Sequence, residues 1–138
     1  MSEKTFTATE SKLREMILFI KEESQTLKVR DDVVKKIHVI AEEVITNIIN
    51  HGYNNSDSNI DQDNTILIKI GLFEQRNLKL VFIDTGTCYN LNETAVGPMT
   101  KPQIGGLGAY FIKKLADDII YKREKNRNTL EVILKDVL

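Results

Sequence analysis

The chain has 138 residues, 41% hydrophobic and 28% charged, which suits one soluble globular domain and excludes disordered and fibrous classes. Nineteen basic residues nearly balance twenty acidic ones, so no global field pulls the chain toward nucleic acid or an acidic membrane. The lone Cys88 makes no internal disulfide, no apolar run approaches the roughly 20 residues that cross a bilayer, and the polar start MSEKTFTATE is unlike a signal peptide; a cytoplasmic location is expected.

Lys4 to Thr7 alternate weakly and predict a first strand. Thr9 or Ser11 is placed to cap a helix carrying Leu13, Ile17, Ile20 and Leu27 at near-helical spacing. A second helix is expected from Asp31 or Asp32, with Val34, Ile37, Ala41, Val44 and Ile48 as its apolar stripe and Gly52 as C-cap. Asn54 to Asn64 read as a loop. The β-rich runs Thr65–Phe73 and Leu78–Ile83, separated by Glu74 to Asn77, predict a hairpin. Thr85 to Ile104 is a long irregular stretch of the kind that forms lids. A third helix is expected to begin within Gly105 to Gly108 and run toward Asp118. A last hairpin, Ile119–Lys122 with Thr129–Leu134, would turn around Glu124 to Asn128. This order predicts an α+β, two-layer sandwich: a mostly antiparallel sheet with helices on one face, in a single domain over residues 1–138.

Three elements carry chemistry. Glu43 and Asn47 stand one turn apart on one helix face, which Asn50 and His51 continue, with the apolar stripe expected on the other side. An Asn amide oxygen suits Mg²⁺ and a Glu carboxylate can take a proton from an attacking hydroxyl. Asp84-Thr85-Gly86 follows a buried run, where the carboxylate can accept from an amine and Gly86 lets a flat ring approach. Gly105-Gly106-Leu107-Gly108 opens a helix, a setting in which backbone N–H groups can crowd an anion. No Walker loop, dinucleotide fingerprint or protein-kinase signature is present, and His38 reads as an ordinary helix residue.

In this order, Glu42-Glu43-Val44-Ile45-Thr46-Asn47-Ile48-Ile49-Asn50-His51-Gly52-Tyr53, Asp84-x-Gly86 and Gly105-Gly106-Leu107-Gly108-Ala109-Tyr110-Phe111-Ile112 resemble the Bergerat-fold (GHKL) ATPases. Within that superfamily the chain resembles the bacterial anti-sigma-factor serine/threonine kinases. The resemblance implies ATP and Mg²⁺ as cofactors, Glu43 as general base and Asn47 as magnesium ligand. It implies Asp84, with Gly86 beside it, as the adenine-amine site, and Gly105, Gly106, Leu107 and Gly108 as the end of an ATP lid. Asn50 and His51 would lie near the phosphates, Thr129 near the adenine through water, and Lys101 within reach of the γ-phosphate. Cys88 replaces the second glycine of the family's Asp-x-Gly-x-Gly. Glu43, a base for a hydroxyl or water, favours a serine/threonine acceptor over a histidine. The implied partners are a sigma factor, a phosphorylatable anti-sigma antagonist and a second copy of the chain, with no direct nucleic acid and no membrane. The alternative reading is a nucleotide-gated binding protein of the same fold without significant kinase activity.

Overall fold

The computed structural model describes residues 1–53, 64–87 and 106–138, with only the backbone described at 106 and 107. The elements are β1 (Ser2–Thr7), a 3₁₀ turn (Glu10–Lys12), α1 (Leu13–Thr26), α2 (Asp31–Asn47) continuing into a π-helical turn (Ile48–Gly52), β2 (Thr65–Phe73), β3 (Asn77–Asp84), α3 (Gly106–Leu115), β4 (Asp118–Glu124) and β5 (Arg127–Leu134). The strands form one sheet in the order β1-β2-β3-β5-β4, with all four neighbouring pairs antiparallel. The α+β, two-layer architecture expected from the element order is the one observed.

Alternation along the strands makes the two layers. Ile66, Ile68 and Ile70 of β2, Leu78, Leu80 and Phe82 of β3, and Leu130, Val132 and Leu134 of β5 are buried on one face. The helices close over that face. Ile37, Ile40, Ala41, Val44, Ile45 and Ile48 from α2 and its extension, and Met16 and Ile20 from α1, join the same core. In α1 the deepest line is Met16, Ile20 and Ser24, so the expected Leu13 and Ile17 sit at its margin. Ser24 is tolerated there because its hydroxyl donates to the Ile20 carbonyl at 2.7 Å. Asp31 and Asp32 occupy the first turn of α2, after an Arg30 N-cap, where their charge complements the helix dipole.

Two turns set the register near the site. Glu74 and Gln75, with φ of 51° and 73°, join β2 to β3. Lys125 and Asn126, with φ of 51° and 62°, make a two-residue turn between β4 and β5, as tight hairpins require. The sequence reading placed a longer turn there, through Asn128. The tighter turn makes Asn128 a strand residue paired with Asp84.

Candidate nucleotide site

The site begins where β3 ends. Asp84 is the last residue of that strand, on the helix-facing side, and only 6% exposed. Its Oδ1 accepts from the Gly86 N–H and from Asn128 Nδ2, both at 2.9 Å. Among the described residues, no donor reaches Oδ2. Burial pushes the Asp84 carboxyl above the ordinary aspartate range, while the Asn128 amide, the Gly86 N–H and the Arg123 charge pull it back.

Asn128 is buried and is held at both ends. Its Oδ1 accepts from Tyr121 Oη at 2.5 Å and Arg123 Nη1 at 2.8 Å. Its Nδ2 faces Asp84 Oδ1, the Gly86 carbonyl at 3.2 Å and the Thr87 carbonyl at 3.1 Å. Only this amide orientation sets the oxygen against donors and the nitrogen against acceptors. Arg123 Nη1 also donates to the Gly86 carbonyl at 3.0 Å. The β4–β5 hairpin therefore pins the turn after Asp84.

Gly86 is required by a close approach. A Cβ built on it would lie 2.6 Å from the Gly52 carbonyl carbon and oxygen. That contact joins the end of β3 to the end of the π-helical turn. The Gly52 carbonyl also accepts from the Thr87 N–H at 2.7 Å, and the His51 carbonyl from Thr87 Oγ1 at 3.0 Å. Tyr53 ties the same corner: its Oη donates to the Thr65 carbonyl at 2.6 Å and accepts from the Thr85 N–H at 2.8 Å. Gly52 carries no left-handed cap; Tyr53 follows it with φ of −98° and closes an i to i+5 bond to Ile48. Such π turns recur at functional sites, where they re-aim a helix end. Val44, Ile48 and Leu130 wall a pocket between this corner and Asp84, with Asp84, Thr87, Asn128 and Tyr121 as its polar lining.

The second part of the site lies one to two turns back along α2. Asn47 is 5% exposed, and its Nδ2 is buried with no hydrogen-bond partner among the described residues. This corrects the expectation that the Glu43–Asn47 face turns away from the apolar stripe: Asn47 is enclosed by the fold. Glu43 is half-buried and meets the start of α3, where a Cβ built on Gly108 would collide with its carboxylate. Gly108 thus permits α3 to pack directly against α2.

Of the other expected residues, Asn50 is exposed and His51 is half-buried, outside the described lining of the Asp84 pocket. Thr129 is corrected. It pairs with Ile83 on the sheet face opposite Asp84, beside Lys122, Glu124 and Glu131, because strand side chains alternate faces. The β5 residue that reaches Asp84 is Asn128. Gly106 and Leu107 open α3, whereas Lys101, Gly105 and Cys88 lie outside the described residues. Among the described residues no three His, Cys, Asp or Glu side chains cluster to hold a metal, and no helix is long and apolar enough to cross a membrane.

Residues 6–134 match the model of the histidine kinase-like ATPase domain. The chain belongs to that family. A relative within reach of sequence comparison is the serine-protein kinase RsbW of Oceanobacillus iheyensis, 28% identical over 94 residues. That alignment spans 62% of this chain and 56% of the relative, so the chain matches little more than half of that protein. Among solved structures, the RsbU and RsbW domains of a Mycobacterium tuberculosis protein superpose with a TM-score of 0.65 at 14% identity, covering 98% of this chain and 32% of that one. The SiaB–SiaC complex of Pseudomonas aeruginosa gives 0.62 at 10% identity, covering 96% and 88%. The catalytic domain of histidine kinase ThkA gives 0.51 at 10% identity, covering 99% and 98%. These structures share the fold of this histidine kinase-like ATPase domain.

Proposed function

We propose that residues 1–138 form a single Mg-ATP-binding domain that phosphorylates a serine or threonine on a small regulatory protein, as an anti-sigma-factor kinase does. The observation that carries this reading is the juxtaposition of Glu43 with the start of α3, one turn from a buried Asn47 whose Nδ2 has no partner among the described residues. The family and the similarity to RsbW support an ATP-dependent kinase.

The residues fit the cofactor. A buried carboxylate whose Oδ2 takes no bond from the described residues suits a base amine. Val44, Ile48 and Leu130 suit the ring. An unpaired buried amide costs about 1–3 kcal/mol, a cost that a ligand would remove. An Asn amide can present either its nitrogen or its oxygen to such a ligand, and the oxygen is a hard donor suited to Mg²⁺. With no metal cluster among the described residues, the ion would be shared between Asn47 and phosphate oxygens. Bound Mg-ATP would supply the γ-phosphoryl group, with ADP as the leaving group. Asp84 would hold the base, Asn47 the metal, and Glu43 would take the proton from the acceptor hydroxyl, which is a poor nucleophile until deprotonated.

The partner set follows from the same reading: a sigma factor held by the kinase, an antagonist carrying the acceptor hydroxyl, and a second copy of the chain. The SiaB–SiaC structure is a complex of two proteins, one of them a neighbour of this fold. Phosphate on the antagonist would weaken its packed interface through charge and desolvation. The test is capture of partners from the source cell on the tagged chain, followed by incubation with Mg-ATP and mapping of phosphate by mass spectrometry. The expected result is one phosphoserine or phosphothreonine on a small captured protein, absent with Glu43→Ala. Retention of ATP with no phosphate on any captured protein overturns the kinase reading and leaves a nucleotide-gated binder.

A further inference from the structure

Asp84 is a buried carboxylate with its two oxygens treated unequally. Oδ1 is filled from within by the Gly86 N–H and Asn128 Nδ2. Among the described residues Oδ2 receives nothing, and Asp84 lines the pocket walled by Val44, Ile48 and Leu130. The asymmetry depends on Asn128, which would be free to turn its amide were it not gripped from behind. Tyr121 Oη and Arg123 Nη1 both donate to its oxygen, so the nitrogen has to face Asp84 and the Gly86 and Thr87 carbonyls.

We propose that Asn128, braced by Tyr121 and Arg123, is a positioning residue that makes the pocket select a 6-amino purine over a 6-oxo purine. This rests on the nucleotide-binding reading above. By occupying Oδ1, the Asn128 amide fixes the plane of the carboxylate and reserves Oδ2 as an acceptor. A 6-amino group donates to that oxygen. A 6-oxo group presents an acceptor to an acceptor, and the mismatch is costly in a buried site. Arg123 contributes twice, by orienting Asn128 and by placing positive charge near Asp84, which favours the ionised, acceptor-only carboxylate. Its second bond, to the Gly86 carbonyl, holds the turn that carries the base-facing backbone. Without Asn128 only the Gly86 N–H remains on Oδ1, so the plane of the carboxylate is held less firmly and burial pushes it further toward the protonated form. A protonated Asp84 can donate to a 6-oxo group, and the discrimination falls.

The test is calorimetric titration of the full chain with ATP and with inosine triphosphate, which replaces the 6-amino group by a 6-oxo group. The variants are Asn128→Ala, Tyr121→Phe, Arg123→Gln and Arg123→Lys. Wild type is expected to prefer ATP. Asn128→Ala is expected to lose about tenfold in ATP affinity, the scale of one charge-assisted hydrogen bond, and to bring the two affinities together. Arg123→Gln and Tyr121→Phe narrow the ratio less, and Arg123→Lys restores part of it. A merely structural role would weaken both nucleotides equally and leave the ratio unchanged. An unchanged ratio in Asn128→Ala overturns the inference while nucleotide binding stands. If that variant does not fold, Arg123→Gln and Tyr121→Phe decide by the same ratio. Absence of any binding by the folded wild type overturns the nucleotide reading itself. Binding without preference overturns the selectivity inference alone.

Discussion

The two ends of the site are built in opposite ways. At the Asp84 end, strands and a hairpin supply the groups, and the described polar atoms of Asn128 are spoken for by Tyr121, Arg123, Asp84 and two backbone carbonyls. At the Glu43 end, helices supply the groups, and Asn47 Nδ2 is buried without a partner among the described residues. Among the described residues, the side-chain hydrogen bonds of Asp84 and Asn128 at the first end are complete except at Asp84 Oδ2, which faces the pocket. The second holds an unmet polar demand, as expected where a charged ligand completes the arrangement. Affinity for a base would therefore reside in the strands, and reactivity in the helices.

The sharpest way to break this division is Glu43→Ala, which should lower phosphoryl transfer by about 10²–10⁴-fold while leaving nucleotide affinity nearly intact. Single-turnover phosphorylation of the partner, beside a binding titration, checks it. Next in size is Gly86→Ala. Its methyl would lie 2.6 Å from the Gly52 backbone, which cannot yield cheaply. About 1–3 kcal/mol of stability should go, and ATP affinity with it, as read by thermal unfolding with and without nucleotide. Asn47→Leu should act with opposite signs on the two properties. Replacing an unpaired buried amide by an apolar group of like size should stabilise the ligand-free protein by about 1 kcal/mol, yet remove the Mg²⁺-dependent gain in ATP affinity.

The smallest expected effect is a pH dependence at the Asp84 end. Because burial raises this carboxyl from its ordinary value of 3.8, its contribution to stability is whole below that value and is lost as pH rises through the raised one. Nucleotide affinity runs the other way, since the ionised form accepts the amine, and should weaken as pH falls through the same range. Asp84→Asn should flatten both dependences, measured by denaturant unfolding and titration across that window.

Much of this was legible in the sequence. Apolar alternation placed β2 and β3, the three- and four-residue spacing placed α2, and Gly52, Asp84 and Gly86 were picked out as turn-making and polar residues beside apolar runs. What escaped was register. The chain turns at Lys125 and Asn126 rather than through Asn128, so Asn128 is a strand residue, and Thr129, which the family resemblance implied, lies one residue further along β5. In a strand, one residue is the difference between two faces. Asn126, at φ of 62°, carried the missing signal, because Lys-Asn can fill a two-residue hairpin turn with both residues left-handed. The burial of Asn47 also escaped, since it is enclosed although it stands off the apolar stripe that periodicity picks out. The packing of α3 on α2 through Gly108 and Glu43 joins residues 65 positions apart, beyond the reach of local periodicity.

The division of labour is tested most directly by titrating Mg-ATP into the wild type, Asp84→Asn and Glu43→Ala in parallel. The account predicts that Asp84→Asn loses most of the affinity and that Glu43→Ala binds like wild type. Equal affinities for all three, or negligible binding by the folded wild type, would contradict it.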